Sequence, residues 1–171
     1  MKIILVGYMA SGKTTIGKLI SELLGIPFFD LDYIIEQKLQ LNIHEIFEQK
    51  GELFFRKQER ETFETFLNST DNYVLALGGG TPCYFDNFSL YQKEDLNSFY
   101  LKASLGTLLN RLETQKSTRP IIANFSNEAL KEFVAKHLFE RNYFYNQVQN
   151  VISVDDKNET EIVSEIISKL T

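Results

Sequence analysis

Gly7-Tyr8-Met9-Ala10-Ser11-Gly12-Lys13-Thr14-Thr15 is the stretch on which the reading of this chain turns. Gly7, Gly12, Lys13 and Thr14 hold the fixed positions of the pattern G-x-x-x-x-G-K-[ST], a phosphate-binding loop. The flanks agree with it. Lys2-Ile3-Ile4-Leu5-Val6 is a β-branched apolar run that predicts a strand, and Ile16, Leu19, Ile20, Leu23 and Leu24 recur behind the loop at helical spacing. In such a unit, inward-facing backbone N–H groups and the unpaired N–H groups of the helix's first turn make a concave anion site. Gly7 and Gly12 permit backbone approach that a Cβ would obstruct. Lys13 is expected to reach the β- and γ-phosphates of a nucleotide. The Thr14 hydroxyl is expected to ligate Mg²⁺, whose other ligands would be phosphates and water.

Outward from the loop, 171 residues suggest one domain spanning 1–171, large enough for a core without disulfide staples. With 43% hydrophobic and 24% charged residues the composition is globular. A net charge of -5 argues against broad nucleic-acid or anionic-membrane binding, so an anionic ligand has to be held by local cations. The one cysteine, Cys83, excludes an internal disulfide. The first residues run straight into the loop and read as a strand, not a signal peptide, and no apolar run reaches membrane-spanning length. The expectation is a cytoplasmic monomer with no nucleic-acid or membrane partner.

Along the chain, Gly25 and Pro27 separate the first helix from a short strand, Phe28 to Asp32. Strand alternation would aim Asp30 and Asp32 to one side, where Mg²⁺ could relieve their repulsion. Asn42 with Glu45 predicts a capped helix that ends at Gly51, followed by a longer one to about Asn68 that carries Phe54-Phe55-Arg56-Lys57-Gln58-Glu59. A solvated surface charge is the ordinary fate of an arginine such as Arg56. A buried-type strand, Tyr73 to Leu77, stops at Gly78-Gly79-Gly80-Thr81-Pro82, where backbone must approach something closely or simply turn.

Phe99 to Leu101 predicts a fourth strand, and Ser104 caps a helix to about Glu113. The stretch from 113 to 127 lacks an apolar face and reads as a lid presenting Arg119. Asn127 is expected to cap a helix with Leu130, Phe133, Val134, Leu138 and Phe139 on one face, continuing through Arg141 and Tyr145. Val151 to Val154 and an amphipathic helix close the chain. Alternating strands and helices predict an α/β fold, a parallel sheet covered on both faces in three layers.

Taken in order, GYMASGKTT, the Asp30-Leu31-Asp32 triplet, FFRKQE, LGGGTP from Leu77, TRPII from Thr118, ERNYFY from Glu140 and the Val154-Asp155-Asp156 turn make the chain resemble the shikimate kinase family, within the nucleoside monophosphate kinase-like phosphate-loop proteins. The motifs span nearly the whole chain, and their joint order is more specific than any one of them. The resemblance implies a five-stranded parallel sheet in order 2-3-1-4-5 with ligands at the carboxyl ends of the strands. It implies Mg²⁺-dependent transfer of the ATP γ-phosphoryl to the 3-hydroxyl of shikimate, on the pathway to chorismate and the aromatic amino acids.

Carried over by position, Ala10, Ser11, Gly12, Lys13, Thr14, Thr15, Arg111 and Arg119 would bind ATP, with Lys13, Asp32 and Arg119 catalytic. Asp32, Arg56, Gly78, Gly79, Gly80 and Arg141 would bind shikimate in a region of about 32–62 and its surroundings, beneath a lid of about 113–127. Thr14 and Asp30, the latter through water, would serve the metal. Phe47 and Phe55 match positions beside the substrate, although rings at helical spacing are as often core. His44, His137 and Cys83 receive no chemistry. Three departures stand out: Ala10 replaces a common glycine, Lys157 is the nearest cation where many members place an adenine-facing arginine, and Gly78 sits where many phosphate-loop ATPases carry an Asp. The alternatives are a kinase for another hydroxy-carboxylate such as gluconate, or a non-catalytic nucleotide-dependent regulator.

Overall fold

The computed structural model describes residues 1–69, 71–115 and 121–170. Five strands, β1 (Lys2–Val6), β2 (Phe28–Asp30), β3 (Tyr73–Ala76), β4 (Asn97–Lys102) and β5 (Asn150–Ser153), form one sheet in order β2-β3-β1-β4-β5, with every pairing parallel. Ile3 to Val6 and Tyr73 to Ala76 are buried at every position. Because strand side chains alternate between faces, such strands need cover on both sides, as expected of a parallel sheet.

The cover comes from α1 (Lys13–Leu24), α2 (Leu31–Leu39), α3 (Ile43–Lys50), α4 (Glu52–Asn68), α5 (Asn87–Leu90), α6 (Leu105–Thr114), α7 (Asn127–Tyr145) and α8 (Glu159–Ile167). Helix α1 packs on β3 and α8, α2 and α3 on α4, and α6 on α7. Local chemistry sets their ends. Gly25 takes the left-handed conformation that closes α1, and Asn42 with Glu45 forms the predicted capping box of α3. The Ser104 side chain caps α6.

Several expectations are corrected. Strand β2 stops at Asp30, whose carboxylate accepts from Tyr33 N–H and caps α2. Asp32 therefore lies in the first turn of a helix, and strand alternation does not relate it to Asp30. Leu31 and Ile35, one turn apart and fully buried, supply the apolar stripe of α2. Ser126, not Asn127, caps α7. Phe139 is 88% exposed because it falls off the stripe that carries Leu130, Val134 and Tyr145. The expected lid of about 113–127 is not among these corrections: residues 116–120 lie outside the described residues, and of the rest Ile122 is fully buried and Phe125 packs 5.1 Å from Phe133. A 3₁₀ turn at Thr81–Cys83 and the short α5 were not foreseen.

Candidate active site

The loop between β1 and α1 is tightly closed. A Cβ on Gly7 would lie 2.7 Å from Ser11 Oγ and 2.9 Å from the Leu101 carbonyl. Lys13 Nζ donates to the Gly7 and Tyr8 carbonyls at 2.7 and 3.0 Å. Ala10 holds a left-handed φ of 63°, which costs a residue with a Cβ roughly 1–2 kcal/mol. Its carbonyl accepts from Arg111 Nη1 at 3.0 Å, fastening α6 to the loop. Alanine at this position thus stores strain that a glycine would not.

A cavity of about 990 Å³ opens over the loop and reaches Asp30, Asp32, Gly78, Gly79, Arg111 and Lys157. Thr14 Oγ1 donates to Asp30 Oδ2 at 3.2 Å, so two hard oxygens stand together at the head of α1. Among the described residues no cluster of three or more His, Cys, Asp or Glu could hold a metal alone. The pair fits an octahedral cation that keeps phosphate and water ligands. Lys157 is engaged by Glu165 at 2.6 Å, and Asp155 ties its turn to α6 through Ser104 N–H and Thr107 Oγ1 at 3.0 and 2.6 Å.

Asp32 lines the same cavity. Its Oδ1 is buried and has no hydrogen-bond partner among the described residues. Burial, and then the charges of Glu59 and Asp30, push its carboxyl up to about 7 against the opposing pull of Lys13 and Arg56. Below it, Arg56 is not the solvated charge its sequence position allowed. Its side chain is 9% exposed and donates from Nη1 to Glu59 Oε2 at 2.8 Å, while Nη2 and Nε reach Glu52 Oε1 at 3.1 and 3.3 Å. The Tyr84 ring stacks 4.3 Å from its Cζ.

Glu59, whose side chain is 1% exposed, also accepts from the Thr81 hydroxyl. Burial raises its pKa even beside Arg56. The consecutive glycines now have a reason: a Cβ on Gly78 would stand 2.5 Å from Asp32 Oδ1, and one on Gly80 2.7 Å from both Arg56 Nη atoms. Close approach, not mere turning, explains Gly78 and Gly80, whereas a Cβ on Gly79 would meet only ordinary contacts, the nearest at 3.5 Å.

Arg141 comes from α7 to the same loop. Its Nη1 would be 3.6 Å from a Cβ on Gly79, and its Cζ lies 5.6 Å from the Tyr8 ring centroid. Glu52 and Glu59 both feel its charge. Phe47 and Phe55 pack edge to face at 5.1 Å, with Arg56 Cζ 5.9 and 5.4 Å from their centroids. Phe55 is core, and Phe47 is partly buried against it. Arg119 lies outside the described residues.

Glu59, Thr81 and Tyr145 lie within the quoted motifs but received no role from them, and Glu52 and Tyr84 lie outside every motif. Spacing could have found two of them, since Glu52 and Glu59 stand four and three residues from Arg56 on one helix. The residues set aside stay quiet. His44 pairs with exposed Glu48 at 3.3 Å, and His137 Nδ1 lies 3.1 Å from the Tyr8 hydroxyl. Burial pushes the Cys83 thiol up to about 11, away from nucleophilic chemistry.

Comparison with known proteins agrees with this geometry. A family model described as shikimate kinase matches residues 9–171. The shikimate kinase of Flavobacterium psychrophilum is 53% identical over 165 residues, covering 96% of both chains. A crystal structure of shikimate kinase from Bacteroides thetaiotaomicron superposes with a TM-score of 0.91 at 31% identity, over 98% of this chain and 97% of that one. The Acinetobacter baumannii shikimate kinase, solved in complex with shikimate, gives 0.85 at 28% identity over 99% and 95%.

Proposed function

The chain belongs to the shikimate kinase family, and from that premise we propose that it transfers the γ-phosphoryl of ATP to the 3-hydroxyl of shikimate with Mg²⁺ bound. The observation that carries the reading is the meeting of three groups at Gly78 to Gly80: the Asp32 Oδ1, without a hydrogen-bond partner among the described residues, the buried Arg56 and the Arg141 guanidinium. One wall of this meeting point is the phosphate-loop cavity. A phosphate site, a carboxylate acceptor and two guanidinium groups are what a kinase for a hydroxylated carboxylic acid requires.

In this mechanism the backbone of residues 10 to 15 and Lys13 hold the nucleotide phosphates, and Arg111 flanks the base end. Thr14 and Asp30, the latter through water, would hold Mg²⁺, which when bound neutralises phosphate charge. Arg56 and Arg141 grip the substrate carboxylate. Gly78, Gly79 and Gly80 let the ring lie against backbone, and Asp32 accepts the hydroxyl proton as the oxygen attacks the terminal phosphorus. Arg119 is assigned to the transferring phosphoryl by family position alone. Phosphoryl transfer is largely alignment and charge stabilisation, which this arrangement supplies.

The test is ADP release in a coupled assay with shikimate, quinate and gluconate, each with MgATP. Turnover is expected to be fastest on shikimate; faster turnover on gluconate, or nucleotide binding with no turnover on any acid, overturns the reading. Gly78→Ala is also expected to lower kcat about 10²-fold or more, because its methyl would displace Asp32 by a distance of the order that ruins alignment. ATP affinity should stay near wild type. A fully active Gly78→Ala would show that the carboxylate need not sit where it does.

A further inference from the structure

Tyr145 ends α7 one turn after Arg141, so the two side chains leave the helix on one face. Its ring is fully buried and packs on Tyr100 of β4, centroids 5.1 Å apart. The hydroxyl donates to the Gly79 carbonyl, and the Arg141 charge lies close enough to act on the phenol. Arg141 Nη1 in turn lies against Gly79, so cation, phenol and glycine backbone meet at one point. A phenol oxygen can donate one proton and also accept, whereas a guanidinium only donates and a carbonyl only accepts. The phenol can therefore sit between the two, donating to the carbonyl while its lone pair is open to the guanidinium. A benzene ring would fill the same space, leave the carbonyl unsatisfied and release the guanidinium.

We propose that Tyr145 is a positioning residue for acid recognition: its hydroxyl fixes the Arg141 guanidinium against the Gly79 carbonyl and so sets the angle at which that arginine meets the substrate carboxylate. The proposal rests on the reading of Arg141 as a carboxylate-binding group. A purely structural tyrosine is the competing account, and Tyr91 provides the comparison. Tyr91 is equally buried, and its hydroxyl donates to the Phe144 carbonyl at 2.7 Å, holding the same helix end through backbone alone.

Steady-state kinetics of the full chain decide between them. Tyr145→Phe is expected to raise KM for shikimate about 5- to 20-fold, with kcat and KM for ATP within about twofold of wild type. Tyr91→Phe should lower the thermal midpoint and leave both KM values unmoved. In an Arg141→Ala background, Tyr145→Phe should add less than about twofold, because its effect passes through a side chain already gone. Tyr145→Met carries the same expectation should the phenylalanine variant not fold. An unchanged shikimate KM, an equal rise in Tyr91→Phe, or full additivity with Arg141→Ala overturns the proposal. A wild-type chain inert toward shikimate would instead sink the proposed function, so the two failures are distinguishable.

Discussion

Asp32→Asn is expected to lower kcat about 10³-fold while ATP affinity stays within about threefold. The amide keeps the shape of the side chain but cannot take the hydroxyl proton, and the nucleotide phosphates are assigned to Lys13 and the loop backbone, not to Asp32. The pH dependence follows from the carboxyl being pushed up to about 7 in the free protein. Only the ionised form can accept a proton, so kcat/KM for shikimate should rise with pH through about 7 and fall tenfold per unit below it. Asp32→Asn should lack that limb. Stability runs the other way: a carboxyl raised above its unfolded value of 3.8 binds protons more tightly in the folded chain. Its ionisation therefore destabilises the fold progressively as pH climbs from about 4 to 7, and the amide variant should melt higher than wild type at pH 8. Unchanged turnover in Asp32→Asn would remove this residue from the chemistry.

Arg56→Ala should do damage of two kinds. Shikimate KM is expected to rise about 10²-fold, since a carboxylate loses one of two guanidinium partners in a site already rich in negative charge. The fold should also weaken by roughly 3–5 kcal/mol at pH 8, because Glu59 is left buried without its cation. Burial already holds the Glu59 pKa above its ordinary value, and loss of Arg56 moves it further up. The folded variant then takes up a proton that the unfolded chain does not, so its deficit should shrink at pH 5 and grow above. Arg56→Ala/Glu59→Gln should recover stability but not KM. A deficit independent of pH would show that Glu59 is not the source of the loss.

Much of the frame was legible because local rules and tertiary demands coincide in it. The strand before Gly7, the helix after Gly12, the capping box at Asn42 and the strand order each follow from pattern or resemblance, and the structure agrees. Asp32 was misplaced because Phe28-Phe29-Asp30-Leu31-Asp32 fits alternation as well as it fits a strand end with a cap; burial of Leu31 and Ile35 on one helical stripe settles it, and that burial is a tertiary fact. Arg56 was legible as a candidate but its condition was not, since a helix arginine looks alike in solvent or sealed against Glu59. Tyr145 carried a helical-spacing signal and a place at the end of ERNYFY, but no role: its partner Gly79 stands far away in the chain, and no local pattern joins a phenol to a distant carbonyl.

Strand β1 lies in the middle of the sheet, yet it precedes both of its neighbours, which begin only at Tyr73 and Asn97. During synthesis at about 5–20 residues per second, Ile3 to Val6 must wait on the order of several seconds for β3, and longer for β4, with their backbone edges unmatched. Nascent chains in that interval are sticky, and closing such distant pairings is slow. The arrangement that puts the phosphate loop at the centre of the mature protein thus makes its biogenesis a race between docking and aggregation, one that runs until β4 has been made.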